Sequence, residues 1–329
     1  EEDVLDILRG FLVNPGVPLT GHNAGQYDRI VCEEQLGVTP TLRADTLLLH
    51  LLSNNEMPHN LGFVGSRYTD FTEAWKADHT ATQARTDKEL HTYCAKDACV
   101  TARVVKPLSR VIRHRKQFHL IEREHQLQDI GCKMQRIGMF VDQAKLSEHE
   151  FRVQTELEKH KKVCLEIGPD EFNPNSTHQL RKILFNEWNL PPVKYNEKSG
   201  DPSTDDDSLR RILTEYGLDE EKNTFIQSIR LLRRNTKLLS TYIRPLRSGL
   251  VLPDGRVHPA YNRLPATGRY SSSEPNAQNI PYDLRDIFVP QSGHVFVGAD
   301  ADQLELRYIA EEADAERLIE VINSGLDPH

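Results

Sequence analysis

The chain has 329 residues, 38% hydrophobic and 27% charged, with 41 Lys+Arg against 49 Asp+Glu and a formal charge of −8. That length accommodates two or three domains of ordinary size, and no apolar run approaches the ~18 residues of a membrane span. The acid excess excludes a histone-like DNA coat, whose domains are strongly basic, and leaves room for an enzyme that meets nucleic acid through local patches.

Residues 1–108 alternate short strand-like and helical segments, an α/β pattern. Glu2 to Leu12 carries Val4, Leu5 and Leu8 at helical spacing. Gly16 to Asn23 reads as a strand entering a loop, Leu42 to Leu52 as a buried helix behind Asp45, and Asp87 to Pro107 as a further helix. Residues 109–250 are mostly helical. After Asp142, the apolar stripe Leu146, Val153, Leu157, Cys164 has a 3.6-residue period. Ser176 to Gln179 has the form of a capping box, and Lys194 to Pro202 is a polar loop. Thr204 and Asp205-Asp206-Asp207 open a helix that Gly217 closes. The three acids read as favourable N-terminal charges rather than a metal site.

Residues 251–329 change character. Pro253-Asp254-Gly255 is a turn and Thr267 to Pro281 a long polar loop. Val295 to Ala299 is expected to be a strand, and Gln303 to Asn323 a helix.

Two stretches lack acids. Thr101–Gln117 carries Arg103, Lys106, Arg110, Arg113, Arg115 and Lys116; Thr224–Arg247 carries Arg230, Arg233, Arg234, Lys237, Arg244 and Arg247. Arg230, Arg233, Arg234 and Lys237 fall on one helical face. That face could meet phosphates; a solvated helix face is the alternative. The five cysteines are scattered without a CxxC pair, which fits buried thiols in a reducing cytosol rather than a disulfide or zinc framework.

Asp300-Ala301-Asp302-Gln303-Leu304-Glu305-Leu306-Arg307 resembles motif A of the family A DNA polymerases, the bacterial DNA polymerase I-like group. Upstream, Thr267-Gly268-Arg269 and Pro275-Asn276-Ala277-Gln278-Asn279-Ile280-Pro281 resemble that family's TGR and PN-QNIP strings. Arg285-Asp286-Ile287-Phe288 and Gly325 to His329 follow in the family's order. Phe172 to Ser176 and Lys237 to Tyr242 resemble its thumb. Asn23-Ala24-Gly25-Gln26-Tyr27-Asp28 and Tyr93-Cys94-Ala95-Lys96-Asp97 resemble the second and third motifs of DEDD-type 3′–5′ exonucleases. Asp45-Thr46 and His59-Asn60-Leu61 also sit where those enzymes have similar residues.

The resemblance implies an α/β and α+β multidomain chain: a ribonuclease-H-like exonuclease fold at 1–108, connecting helices and a helical thumb at 109–250, and a partial polymerase palm at 251–329. It implies a catalytic Asp300 that binds two Mg²⁺ (or Mn²⁺) ions with the Ala301 carbonyl. Glu305, Gln303 and Arg307 would meet the incoming deoxynucleoside triphosphate, Glu305 excluding ribonucleotides, although a simple helix charge is its other reading. Arg269, Asn276, Gln278, Asn279, Arg233, Lys237, Asn23 and Arg285 would contact primer-template DNA; ordinary loop hydrogen bonding is the alternative for Asn276, Gln278 and Asn279. Asp28 and Asp97 would hold the exonuclease metals while Tyr93 orients water.

The family pattern also asks for parts that the string does not contain. These are an Asp-x-Glu pair expected before Glu1, a fingers helix expected after His329, and a last palm motif with a second catalytic Asp. Ala301 and Asp302 replace the commoner Tyr-Ser. The expectation is a cytoplasmic enzyme piece, truncated or split, completed by a second chain and not associated with membranes. A 3′–5′ exonuclease with an inactive polymerase remnant and a non-catalytic primer-template clamp remain open.

Overall fold

The computed structural model describes residues 2–71 and 86–326. The chain divides into two compact units, Glu1–Phe288 and Val289–His329.

The first unit begins with α1 (Glu2–Val13), β1 (Leu19–Gly21), α2 (Asp28–Val31), β2 (Leu42–Asp45), α3 (Thr46–Ser53) and α4 (Leu61–Tyr68). β1 and β2 pair in parallel. The expected helix over Leu42–Leu52 is half strand. Its helical part starts only after Asp45, whose extended backbone and side-chain acceptor cap the Leu47 N–H.

α5 (Asp87–His114) opens on a reciprocal capping box between Thr86 and Glu89. It continues past Pro107, where the expected helix stopped, and so crosses residue 108 unbroken. Proline removes one ladder hydrogen bond, and the buried stripe Val100, Val104, Leu108, Ile112 outweighs that loss. This stripe packs with Leu49, Leu61 and Val64 as one core.

α6 (Leu120–Ile137) ends at Gly138, which has φ 62°. A Cβ there would lie 2.5 Å from the Val257 carbonyl oxygen, so only glycine permits the turn into β3 (Met139–Val141). α7 (Gln143–Ile167), capped by Asp142, is the spine of the helical middle. α8 (Thr177–Arg181), α9 (Asp206–Glu215) and α10 (Glu220–Lys237) follow. Cys164, Leu180, Leu184, Leu209, Phe225 and Ile229 close a second core.

Ser176 does cap its helix, but the Gln179 side chain accepts from the Asn173 N–H and does not close the box. α9 ends at Tyr216 in extended backbone, not through a left-handed Gly217. A third core joins Leu146 and Val153 of α7 to Leu239, Ile243, Leu284 and Ile287.

β4 (Arg256–Val257) pairs antiparallel with β3, and β5 (Ala260–Asn262) pairs antiparallel with β6 (Ser271–Ser273). The polar segment Thr267–Pro281 is therefore not all loop. Its three serines supply backbone hydrogen bonds that composition does not reveal.

The second unit contains α11 (Leu304–Glu312) and α12 (Glu316–Asn323). The expected single helix breaks at Asp314, with φ 47°. Val295–Ala299 forms no strand. Among the described residues no ladder partner pairs with it, and strand-forming side chains alone do not make a strand without a neighbour to pack and pair with. Val295, Phe296 and Val297 are 80%, 61% and 89% exposed.

Candidate functional site

The loop after β1 carries the first group of candidate residues. Asn23 stands at φ 59°. The Asp45 carboxylate, fully buried, accepts from the N–H groups of Asn23 at 2.8 Å and Leu47 at 2.9 Å, and from Gln128 Nε2 at 3.2 Å. The Asp45 N–H donates to His125 Nε2 at 3.0 Å, and Cys132 Sγ donates to the Gly25 carbonyl at 2.7 Å. α6 thus braces the Asn23–Asp28 loop from below.

Above the loop is a cavity of about 900 Å³ lined by Asn23, Asp28, His59, Cys94 and Asp97, among others. The structure thereby brings together three of the four expected exonuclease residues. Tyr93 packs partly buried against the α5 core. Burial, and then the neighbouring Asp45 charge, raise the pKa of Asp28, while its backbone hydrogen bond opposes them. Two carboxylates beside a substrate phosphate are a donor set that Mg²⁺ accepts. Among the described residues no group of three or more His, Cys, Asp or Glu is placed to share a metal.

Beside this cavity lies an imidazole pair, His50 buried and His59 on the cavity wall. His50, 1% exposed, meets His59 with its Nδ1 2.7 Å from the partner Nδ1, and His22 Nδ1 lies 2.8 Å from Thr46 Oγ1. Desolvation, followed by the charges of His59 and His22, lowers the His50 pKa to about 4.

The second group lies on β5, β6 and the following turn. Arg263 donates from Nε and Nη2 to Glu124 Oε2 at 3.3 and 3.1 Å, and from Nη1 to the Gly268 carbonyl at 2.5 Å. Arg269 is exposed between Gly268 and Tyr270. Gln278 donates from Nε2 to the Tyr270 carbonyl at 3.1 Å and from its backbone to Ser272 Oγ at 3.2 Å. Ser272 Oγ donates to Asn276 Oδ1 at 3.1 Å. The Asn279 carbonyl accepts from Tyr242 OH at 2.8 Å, and Arg285 Nε donates to the Ile280 carbonyl at 3.3 Å. Asn276 and Gln278 accordingly tie the loop together.

The third group is the α10 face, bordering a groove of about 700 Å³ beside α9. Its charges are less open than the sequence suggested. Arg230 makes a two-pronged pair with Asp206 at 2.8 and 3.0 Å, Arg234 pairs with Asp283, and Arg247 pairs with Glu150 at 3.0 Å. The stretch contains no acid, but acids from α9, α7 and the 282–287 turn reach it. Arg233 is half-buried, its pKa lowered by desolvation, and donates to the Thr204 carbonyl at 2.5 Å. Lys237 is exposed. Of the other acid-free stretch, Arg103 lies 3.8 Å from Asp70 and Arg113 stacks on Phe118 at 5.2 Å.

In the second unit, Asp300, Ala301 and Glu305 are exposed, and Gln303 precedes α11 at φ 50° without a side-chain bond to the helix start. Arg307 turns back to donate to the Asp302 carbonyl at 2.8 Å. Asp327, Pro328 and His329 lie outside the described residues. Cys94 and Cys99 are exposed, contrary to the buried thiols expected; Cys132 and Cys164 are buried.

Three features were not read from the sequence as working parts: the hub made by Asp45, the Gln128 brace and the Glu124–Arg263 pair. The last two join residues more than 80 positions apart, so no local pattern announces them.

A solved structure described as the POL domain of Pol1 from M. smegmatis in complex with DNA primer-template and dNTP superposes with TM-score 0.81 at 26% identity, covering 98% of this chain and 55% of that one. The DNA polymerase family A profile matches residues 143–329, and the chain belongs to that family. It is similar to DNA polymerase I of Caldicellulosiruptor bescii, 34% identical over 220 residues, covering 65% of this chain and 25% of the relative. DNA polymerase I of Chloroflexus aurantiacus is 29% identical across 99% of this chain and 36% of its own length. The chain spans about a quarter to a third of these relatives. Among the described residues no helix is long and apolar enough to cross a membrane.

Proposed function

We propose that the chain works in DNA-templated DNA synthesis, holding primer-template DNA and contributing Asp300 to a nucleotidyl-transfer site in the cytoplasm. The observation that carries this is Arg269, set in a loop whose backbone is hydrogen-bonded on both sides and lying within the family A match. A guanidinium projecting from a backbone so fixed suits the minor groove, where base-pair readout is nearly sequence-independent. Arg233 and Lys237 would hold the duplex from the helical middle, with Arg285, Asn276, Gln278 and Asn279 shaping or lining the approach. Glu305, Gln303 and Arg307 would face the deoxynucleoside triphosphate.

Asp300 and the Ala301 carbonyl would hold divalent cations, Mg²⁺ or Mn²⁺. These supply charge stabilisation to the attacking and leaving oxygens when bound. A second carboxylate completes such a site, and a further polypeptide segment or a second chain would bring it.

The cavity that unites Asn23, Asp28 and Asp97 favours an additional 3′–5′ exonuclease function in a ribonuclease-H-like domain over residues 1–108, with Tyr93 orienting water. On this reading 109–250 is the connecting and thumb region, and 251–329 the palm.

The test is fluorescence anisotropy of the whole chain with a labelled primer-template. Tight, salt-dependent binding that weakens at least tenfold in Arg269→Ala is expected. Equal affinity of the two proteins overturns the reading. For the second function, Mg²⁺-dependent trimming of single strands, lost in Asp28→Ala and Asp97→Ala once an Asp-x-Glu strand is supplied, is the expected outcome. Trimming that survives both substitutions overturns it.

A further inference from the structure

We infer that Glu124 and Arg263 are a positioning pair that sets Arg269 for DNA, an inference that rests on the functional reading above. Both side chains are at least nine-tenths buried. A buried ion pair holds only when its remaining donors and acceptors find partners. Here they do. Glu124 Oε1 accepts from Arg123 at 3.2 Å, and Oε2 alone accepts both bonds from Arg263. The third prong of the guanidinium reaches the Gly268 carbonyl, and its flat face lies 4.9 Å from the Tyr270 ring centroid. Tyr270 OH in turn donates to the Leu127 carbonyl, one turn along α6 from Glu124.

The residue before Arg269 and the residue after it are thus both tied to α6. The turn leading into them closes through the Gly268 N–H and Pro265 carbonyl at 2.9 Å, with Gly268 at φ 71°. Arg263 never needs to touch DNA: it fixes the two ends of the peptide from which Arg269 projects. A planar fork with donors in three directions is required, and a lysine ammonium cannot reproduce it.

The experiment compares the full chain with Glu124→Gln, Arg263→Met and Arg263→Lys. Without DNA, amide hydrogen exchange of the 264–272 peptide should quicken by about tenfold or more in all three, while peptides from the α7–α10 core stay unchanged. With primer-template, Arg263→Met should weaken binding by about tenfold, yet cost little further once Arg269→Ala is present. Unchanged exchange in 264–272 overturns the positioning role. So does faster exchange with additive losses in the double variant. A parent chain that binds no duplex overturns the functional reading and this role together, whereas duplex binding that needs Arg269 but ignores Arg263 overturns this role alone.

Discussion

The carboxylate of Asp45 accepts the N–H of Asn23 at 2.8 Å while capping α3 through Leu47 at 2.9 Å. One buried side chain therefore fixes both the start of a core helix and the loop that carries the second exonuclease-like motif. Asp45→Ala strands the buried Leu47 and Gln128 donors and frees the half-buried Asn23 N–H. The expected loss is about 3 kcal/mol, from a missing cap and unpaired buried donors. Asp45→Asn, which retains one acceptor, should recover part of it. Urea unfolding of the three proteins checks the order; an alanine variant as stable as the parent refutes it.

Acid should loosen the same region. The pKa of His50 is about 4 in the folded chain, against 6.5 as its ordinary value. Between those values the unfolded chain binds more protons, so stability rises with pH across that window and falls as pH drops from 6.5 towards 4. The loss approaches roughly 2–3 kcal/mol at the acid end. Equilibrium unfolding at pH 7, 5.5 and 4.5 should show it, with a flatter profile in His50→Gln. Parallel profiles for the two proteins would contradict this.

On the α10 face, pairing predicts which cations count. Lys237→Ala should lower the salt slope of duplex binding by about 0.9, the yield of one phosphate contact. Arg230→Ala should change the slope far less, because Asp206 already holds that guanidinium at 2.8 Å. Binding titrations at three salt concentrations separate the two. Equal slopes would show that the ion pair opens on DNA.

The thiols offer an independent check on the fold. Burial pushes Cys132 up to about 11 and Cys164 to about 12, so neither forms a useful thiolate near neutral pH. Ellman's reagent should label exposed Cys94 and Cys99 quickly in the native chain, and Cys132 and Cys164 only on unfolding. Fast labelling of Cys164 would place its helix elsewhere.

What the sequence made legible follows a physical divide. Helix α7 was readable because Leu146, Val153 and Cys164 repeat on one face and Asp142 caps it. The Asn23–Asp28 loop stood out only through its resemblance to a known motif, and the structure lines one cavity with Asn23, Asp28 and Asp97. The strand expected at Val295–Ala299 failed because β-branched composition records a preference, while a strand needs a neighbour. The α10 face is less open than its sequence reads, for a related reason: the acids that pair with Arg230 and Arg234, Asp206 and Asp283, arrive from segments 24 and 49 residues away. Charge read along a string does not see them. The Glu124–Arg263 pair spans 139 positions and had no local trace.

The exposed run Val295-Phe296-Val297 also bears on handling. It is short, but its three side chains are β-forming, uncharged and 61–89% exposed. In concentrated solution it is a place where copies of this chain should stick. A single lysine at Val297 should keep the protein in solution without touching any residue given a role above.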